Sequence, residues 1–392
     1  MINSQFSPWP SYTLEEANSV REILLSNKVN YWTGNECREF EKEFAFWSNT
    51  KYSIALANGT LALDAALKAL NICHGDEVIV TCRTYISSVS SIVNAGARPV
   101  FADVDLNTQN IKIESIKSLV NKKTKAIVCV HLAGWPCEMD EILSLAKEFN
   151  LYVIEDCAQA HGAKYKDKPV GSIGDIGCWS FCQDKIMTTG GEGGMVTTND
   201  KLLWSKMWSY KDHGRSYEAV YERKHPVGFR WLNESFGTNW RMTEMQAIIG
   251  RIQLKKMPNW QKERIKNANA IWNVASQCKG LRVPDVFNYI QHAAYKCYVF
   301  IETKELKIEW DRDKIIKEIN TLGVPCYFGA CPEVYLEKAF DNTGFRPKER
   351  LVNAKELGET SLVFLVHPTL TKDEIQKTCN AIISVMNLAT IS

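Results

Sequence analysis

The chain has 392 residues, of which 45% are hydrophobic and 23% are charged, and this is enough to bury the cores of more than one average domain. Its 47 Lys and Arg residues nearly balance its 45 Asp and Glu residues, so the overall charge indicates neither a nucleic acid nor an anionic membrane as a partner. Because we find no secretory signal and no apolar stretch of roughly 18 residues, we expect a cytoplasmic protein.

Strand and helix patterns alternate along the chain from about residue 50. Short apolar runs typical of strands alternate with helical patterns, the strands at 53–57, 77–82, 99–104, 126–132 and 151–156 and the helices at 61–70, 87–96 and 140–150. This alternation predicts an α/β protein in which a mostly parallel sheet lies between helices. Ligands of such sheets bind at the carboxyl ends of the strands, so residues directly after a strand are the candidates for function.

The pattern changes near residue 252. A long polar helix over 253–278, a strand over 295–303 and a helix over 311–323 indicate a smaller α+β domain. We therefore predict a large domain over 1–252 and a small C-terminal domain over 253–392. The helical segment 15–27 could pack with either domain.

The first informative strand end is the turn Asn58-Gly59-Thr60, which leads into an Ala- and Leu-rich helix. Free backbone N–H groups and the positive end of a helix dipole suit a phosphate, and glycine permits its close approach. An ordinary helix N-cap is the alternative interpretation of the same turn.

The second strand end carries Glu155-Asp156-Cys157. An acid at this position can bind a metal, cap a helix, pair with a base or hold a heterocycle nitrogen, and a structural cap is the commonest of these. The seven histidines form no ligand-spaced cluster with Asp156, and the thirteen cysteines are scattered, odd in number and without C-x-x-C spacing. We therefore expect no metal site and interpret most cysteines as small buried side chains.

The third strand end carries Lys185, followed by four glycines in the five positions 190–194. A lysine that a tight loop shields from water can attack a carbonyl through its free amine. A solvated surface lysine is the alternative. The glycine run lacks the G-x-G-x-x-G spacing, which disfavours a dinucleotide or ATP site.

Taken together, the three strand ends offer a phosphate site, an acid and a shielded amine at one edge of a sheet. These are the groups that pyridoxal phosphate requires: an anchor for the phosphate, a carboxylate for the pyridine nitrogen and an amine for the Schiff base. The combination favours this cofactor although each element alone has a simpler explanation.

Several motifs of the chain resemble, in order and spacing, those of the DegT/DnrJ/EryC1/StrS sugar aminotransferases, a branch of the aspartate-aminotransferase-like enzymes of fold type I. The resemblance covers nearly the whole chain and rests on YWTGNECREFEKEFA, ALANGTLALDAALKALNICHGDEVIV, IEDCAQAHGAKYKDKPVGSIGDIGCWSF, DKIMTTGGEGGMVTTND, FGTNWRMTEMQAIIGRIQL and LVHPTLTKDEI. It implies the α/β fold type I with pyridoxal phosphate as cofactor and pyridoxamine phosphate as its intermediate form.

The resemblance also implies roles for individual residues. Lys185 would form the Schiff base and move protons, Asp156 would pair with the pyridinium nitrogen, and Gln159 would bind the ring hydroxyl oxygen. The phosphate would be bound by Gly59, Thr60 and Ser180. Family dehydratases carry histidine in place of the lysine, so the presence of Lys185 favours transamination.

Two further implications concern the aromatic contact and the assembly. Tyr85 would stack on the ring, with a core tyrosine as the alternative. Asn239 would reach the phosphate of a neighbouring subunit, which implies a homodimer with shared active sites. An arginine should receive the donor carboxylate, and the sequence leaves four candidates: Arg83, Arg215, Arg230 and Arg241.

The implied reaction moves an amino group from glutamate to a keto-sugar. Most relatives act on nucleotide-linked 4-keto-6-deoxyhexoses. However, the segment 131–142 and especially the aromatic segment 211–246, with His213, Arg215, Arg230 and Trp231, resemble the transaminase that makes 8-amino-3,8-dideoxy-manno-octulosonate for lipopolysaccharide. That substrate is a free carboxylate with no nucleotide. Two alternatives of other classes are a non-catalytic scaffold or regulator with this fold and a NAD-dependent sugar enzyme, the latter disfavoured by the missing glycine fingerprint.

Overall fold

The computed structural model describes residues 6–391. Its strands are β1 (Tyr52–Leu56), β2 (Glu77–Thr81), β3 (Arg98–Ala102), β4 (Thr124–Val130), β5 (Tyr152–Asp156), β6 (Lys164–Tyr165), β7 (Lys168–Pro169), β8 (Ile176–Ser180), β9 (Gly194–Thr198), β10 (Leu281–Arg282), β11 (Ile290–Gln291), β12 (Cys297–Ile301), β13 (Cys326–Tyr327) and β14 (Ser361–Phe364). Its α-helices are α1 (Leu14–Leu25), α2 (Glu36–Trp47), α3 (Gly59–Ala69), α4 (Ser87–Asn94), α5 (Ile113–Leu119), α6 (Met139–Phe149), α7 (Lys201–Lys211), α8 (Tyr217–Tyr221), α9 (Glu244–Ala275), α10 (Arg312–Thr321), α11 (Val352–Thr360) and α12 (Lys372–Ala389).

The central sheet has seven strands in the order β1-β9-β8-β5-β4-β2-β3. Six strands run in one direction, as the alternating pattern predicts, and β9 runs against its neighbours β1 and β8. The strand β9 follows β8 through the loop 181–193 without a crossover helix, and such a direct return gives an antiparallel pair. The carboxyl ends of the six parallel strands therefore meet at one edge.

The C-terminal part forms a second, antiparallel sheet in the order β10-β12-β14-β13. A second hydrophobic core joins this sheet to α9, α10 and α12. The long helix α9 begins at Glu244, nine residues before the predicted start, with a capping box between Thr243 and Gln246. The predicted domain boundary at 252/253 thus falls inside a continuous helix, and the division into two domains stays a prediction.

The burial of the cysteines agrees with the expectation from composition. Nine of the thirteen cysteines are buried, and all thirteen are free thiols. Within residues 6–391, no helix combines the length and the apolar character needed to span a membrane.

Neighbouring acids on β5 point to opposite faces of the sheet, as alternation in a strand requires. The Glu155 carboxylate is buried and accepts hydrogen bonds from the backbone N–H groups of Gly171 (2.8 Å), Ile173 (2.9 Å) and Gly174 (2.6 Å). It also lies 3.0 Å from Nε2 of the buried His131. Burial alone would raise the pKa of Glu155, but the His131 hydrogen bond and the backbone donors hold that pKa below its ordinary value.

These contacts give Glu155 a structural task. They fix the segment 171–174 that leads into β8, and therefore the register in which β8 pairs with β5. Donor atoms of His131, Glu155 and Cys157 lie within 4.8 Å of one another, but hydrogen bonds already occupy both carboxylate oxygens of Glu155.

We expect Glu155→Gln to lower the free energy of unfolding by about 3 kcal/mol, because the amide nitrogen would face N–H groups that need an acceptor inside the protein. Urea denaturation followed by circular dichroism measures this change. Glu148→Gln on the exposed end of α6 is the matched control and should leave the midpoint unchanged. Equal midpoints for the two variants would contradict a structural role of Glu155.

Candidate active site

The residues predicted at the strand ends come together in one cavity of about 600 Å³ at the carboxyl edge of the central sheet. Seven of the eight predicted site residues line it: Gly59, Thr60, Tyr85, Asp156, Gln159, Ser180 and Lys185. The walls come from the carboxyl ends of β4, β5 and β8 and from the segments that follow β1, β2, β5 and β8, as the parallel arrangement requires. Asn239 is the exception and does not line this cavity.

One end of the cavity is formed by the first turn of α3 and the end of β8. Asn58 caps the helix by accepting a hydrogen bond from the Leu61 N–H at 3.0 Å, so the first backbone N–H groups of α3 remain directed outward. A Cβ atom at Gly59 would lie 2.5 Å from Cβ and 3.0 Å from Oγ of Ser180, so only glycine allows the two backbones to approach this closely. Together with the Thr60 hydroxyl, this end suits a phosphate group.

The opposite part of the cavity contains the buried carboxylate of Asp156. Its oxygens accept hydrogen bonds from the Ser88 hydroxyl at 2.8 Å and from the Ala158 N–H at 3.1 Å, and the Thr84 hydroxyl lies 2.8 Å from that of Ser88. Burial raises the pKa of Asp156, and these two hydrogen bonds offset only part of the effect. A cation bound in the cavity beside this carboxylate would offset the remaining free-energy cost of burying its charge.

Gln159 and Tyr85 border the same space. The Gln159 side-chain oxygen accepts a hydrogen bond from the Ala133 N–H at 2.8 Å, which leaves the amide nitrogen as the donor available to a group in the cavity. Tyr85 follows β2 and exposes 69% of its surface at the cavity mouth. Its ring is therefore free to cover a flat ligand, and it is not a core tyrosine.

Lys185 projects from the loop between β8 and β9. Its backbone N–H donates to the Cys182 carbonyl at 3.0 Å, and its own carbonyl accepts from the Trp9 indole N–H at 2.8 Å. Only 17% of its side chain is exposed, and Nζ lies 3.5 Å from the Asp184 carboxylate. The lysine is shielded from water and held by a partner 176 residues away in sequence, so it is not a solvated surface residue.

The glycines after Lys185 shape this loop. Gly190 and Gly191 have φ values of 87° and 125°, which favour glycine. A Cβ atom at Gly193 would lie 2.0 Å from Oγ1 of Thr189. The run is therefore explained by a tight return of the chain into β9.

Asp184 and Tyr295 belong to the site although the sequence did not single them out. The Tyr295 hydroxyl donates a hydrogen bond to Asp184, and Nζ of Lys185 lies 5.4 Å from the centre of the Tyr295 ring. Burial would raise the pKa of Asp184, but the charge of Lys185 and the Tyr295 hydrogen bond bring that pKa below its ordinary value. Only the identity of Asp184 as the neighbour of Lys185 could have indicated the contact.

The candidate arginines do not line the cavity of their own chain. Arg83 is fully buried and donates to Gln109 at 3.1 Å and to Ser361 at 2.9 Å. Arg215 and Arg241 both pair with the buried Asp212. Arg230 is exposed, as is its neighbour Trp231.

Asn239 also lies outside this cavity. It is exposed, and its backbone pairs with that of Asp212. The assignment of Asn239 to the phosphate of a neighbouring subunit stays a prediction.

Comparison with known proteins gives one consistent result. The model of the DegT/DnrJ/EryC1/StrS aminotransferase family matches residues 10–383. A GDP-perosamine synthase of Escherichia coli O157:H7 is 37% identical over 380 residues, which cover 95% of this chain and 96% of that protein. The solved structure of an aminotransferase from Psychrobacter cryohalolentis is 64% identical, with a TM-score of 0.96 and coverage of 98% of this chain and 99% of that one. The structure of a 3-amino-5-hydroxybenzoic acid synthase is 26% identical, with a TM-score of 0.86 and coverage of 98% and 100%.

The fold and the cavity thus define an aminotransferase of the α/β class. The chain belongs to the DegT/DnrJ/EryC1/StrS aminotransferase family and is a pyridoxal-phosphate-dependent sugar aminotransferase. The residues present fit this cofactor, because the cradle between Gly59 and Ser180 accepts a phosphate and the buried Asp156 carboxylate has no ion-pair partner among the described residues. When bound, the cofactor supplies an aldehyde that condenses with amines and a ring that withdraws electrons from the reacting carbon.

We expect Asp156→Asn to raise the melting temperature of the cofactor-free protein while weakening cofactor binding. Since the folded state raises the pKa of Asp156, ionisation of this acid costs stability at every pH above the ordinary aspartate pKa, and an amide carries no such cost. Differential scanning fluorimetry at pH 7 and a fluorescence titration with the cofactor measure the two effects.

The exposed Asp285→Asn provides the control and should change neither quantity. A lower melting temperature for Asp156→Asn, with cofactor affinity unchanged, would show that the carboxylate serves the fold and not the cofactor.

Proposed function

We propose that this enzyme transfers the amino group of glutamate to a keto-sugar, with Lys185 as the residue that bonds the cofactor. The observation that carries the proposal is the convergence of Lys185, Asp156 and the Gly59–Ser180 cradle on one cavity. In the overall reaction the keto-sugar and glutamate become an amino-sugar and 2-oxoglutarate, so the amino group and the carbonyl oxygen exchange places.

The proposed roles follow from the contacts. Lys185 accepts a proton from the substrate carbon and returns one to it, with Asp184 beside it to stabilise the ammonium form. Asp156 keeps a proton on the ring nitrogen, and the amide of Gln159 donates to the ring hydroxyl oxygen. Tyr85 covers the ring from the open side of the cavity.

Gly59, Thr60 and Ser180 bind the phosphate in this proposal, and Asn239 reaches the phosphate of a second subunit. A homodimer is supported by the segment 222–237, which carries four large apolar side chains in exposed positions: Val227, Phe229, Trp231 and Phe236. Scattered exposed apolar residues are common, but several in one segment are typical of a contact surface.

For the sugar, we propose the 8-oxo precursor of 8-amino-3,8-dideoxy-manno-octulosonate, a lipopolysaccharide component. Support comes from the resemblance of the aromatic segment 211–246, with His213, Arg215, Arg230 and Trp231, to the transaminase that makes this sugar. The similarity to a GDP-perosamine synthase supports the second candidate, a nucleotide-linked 4-keto-6-deoxyhexose.

A substrate screen with glutamate as donor tests the proposal. We expect amination of the 8-oxo octulosonate, detected by mass spectrometry, and little product from GDP- or dTDP-linked 4-keto-6-deoxyhexoses. Lys185→Ala is the blank and should reduce the rate by roughly 10²–10⁴-fold or more, because the group that moves the protons is gone.

The outcomes separate the alternatives. Product from the nucleotide-linked sugars alone would overturn the octulosonate proposal and leave transamination intact. Failure of glutamate and every other amino donor to change the absorbance of the bound cofactor would instead favour a non-catalytic scaffold.

A further inference from the structure

A second cavity of about 380 Å³ opens beside the cofactor cavity. The two share Tyr85, Gln159, Asp184 and Lys185 in their walls. The remaining wall comes from the C-terminal sheet and is largely aromatic, with Tyr295, Tyr298, Tyr327 and Phe328. Since Lys185 borders both spaces, a molecule in the second cavity has direct access to the reacting centre.

Lys296 is the one cationic side chain that the C-terminal part of the described chain contributes to this second cavity. It is partly buried, and its Nζ lies 5.1 Å from the centre of the Tyr295 ring. Lys185 Nζ lies 5.4 Å from the same ring, so the two ammonium groups approach it from neighbouring positions. Burial is the main reason that the pKa of Lys296 falls to about 8.

A third cation, Arg264 of α9, lies behind this wall. It is fully buried, and its guanidinium makes only long contacts, to the carbonyl oxygens of Ala294 at 3.5 Å and Tyr295 at 3.4 Å. Its Nε and Nη2 atoms have no hydrogen-bond partner among the described residues. Burial lowers the pKa of Arg264 to about 9, and no carboxylate faces it to oppose the effect.

Acidic side chains are fewer than basic side chains around the second cavity. Asp184 is the only acid among the described residues that line the second cavity, and it is already engaged by Tyr295 and by Lys185. Lys296 and Arg264 therefore form no ion pair among the described residues, and the charge of Asp184, which Lys185 shares, offsets only part of the effect of burial on the pKa of Lys296. Such an excess of buried positive charge favours the binding of an anion.

We propose that Lys296 binds a carboxylate of the amino donor and so replaces the four arginines as the donor-recognition residue. The inference rests on the proposed function, in which glutamate is the donor. Arg264 acts as a positioning residue, because its charge behind the wall adds to the attraction without touching the ligand. The aromatic wall accommodates the carbon chain between the carboxylate and Lys185.

The test uses the cofactor-loaded enzyme and two measurements. Isothermal titration calorimetry with glutarate, a dicarboxylate that lacks the amino group, reports binding without turnover. Titration with glutamate, followed by the absorbance of the bound cofactor, reports the half-saturating donor concentration and the rate at saturation.

We expect Lys296→Met to weaken glutarate binding and to raise the half-saturating glutamate concentration by roughly ten- to hundredfold, the cost of one hydrogen bond to a charged group. The rate at saturation should change much less. Lys296→Arg should recover most of the affinity, and Lys255→Met on the exposed face of α9 should behave as the unchanged enzyme.

A pH series adds a measurement that loss of packing would not affect. Glutarate binding to the unchanged enzyme should weaken as the pH rises through about 8, where Lys296 loses its proton, and this dependence should disappear in Lys296→Met. The other titratable groups facing Lys296 are present in both proteins: Asp184, Lys185, Arg264, Tyr295 and His367.

Equal glutarate affinity in Lys296→Met and the unchanged enzyme would overturn the inference, as would a loss that Lys296→Arg does not recover. Failure of the proposed function is a distinct result. In that case the unchanged enzyme itself would show no response to glutamate, whatever residue stands at position 296.

Discussion

A carboxylate that lies buried in the wall of the cavity, without an ion-pair partner among the described residues, is the constraint on which this site depends. Asp156 is held by the Ser88 hydroxyl and the Ala158 N–H, and burial still raises its pKa. The fold therefore carries an electrostatic cost that a protonated ring nitrogen relieves.

The central sheet places the other groups of the active site beside this carboxylate. Adjacent positions of β5 serve different purposes, since Glu155 fixes the approach to β8 on one face while Asp156 faces the cavity on the other. β8 then ends at Ser180, against the first turn of α3, and the antiparallel return into β9 leaves Lys185 at the same edge. Phosphate cradle, acid and amine are thus placed by three strands of one rigid sheet.

Much of this arrangement could be predicted from the sequence because its signals are local. The strands before Gly59, Asp156 and Lys185 are short apolar runs, and parallel strands bring their carboxyl ends to one edge whatever the rest of the chain does. The start of α9 was missed although the Thr243–Gln246 capping box was a usable local signal. The direction of β9 was not predicted from the sequence, because the glycine-rich loop before it was interpreted only as a possible ligand site.

The remaining features come from long-range packing, which leaves no local pattern. Trp9 holds the Lys185 carbonyl from 176 residues away, and Tyr295 reaches Asp184 from 111 residues away. Lys296 is one lysine among many in the sequence, and only the fold places it beside the reacting centre. The choice among the arginines stays a prediction, although Arg83, Arg215 and Arg241 already have partners within this chain.

Two shielded lysines, Lys185 and Lys296, border connected cavities, and the central claim is that Lys185 is the one that bonds the cofactor. Borohydride reduction of the cofactor-loaded enzyme makes the lysine–cofactor bond permanent, and peptide mass spectrometry then locates it. We expect the pyridoxyl group on Lys185, beside Asp184, with Lys296 unmodified. A pyridoxyl group on Lys296, or on any lysine outside the cavity formed by Gly59, Asp156 and Ser180, would contradict it.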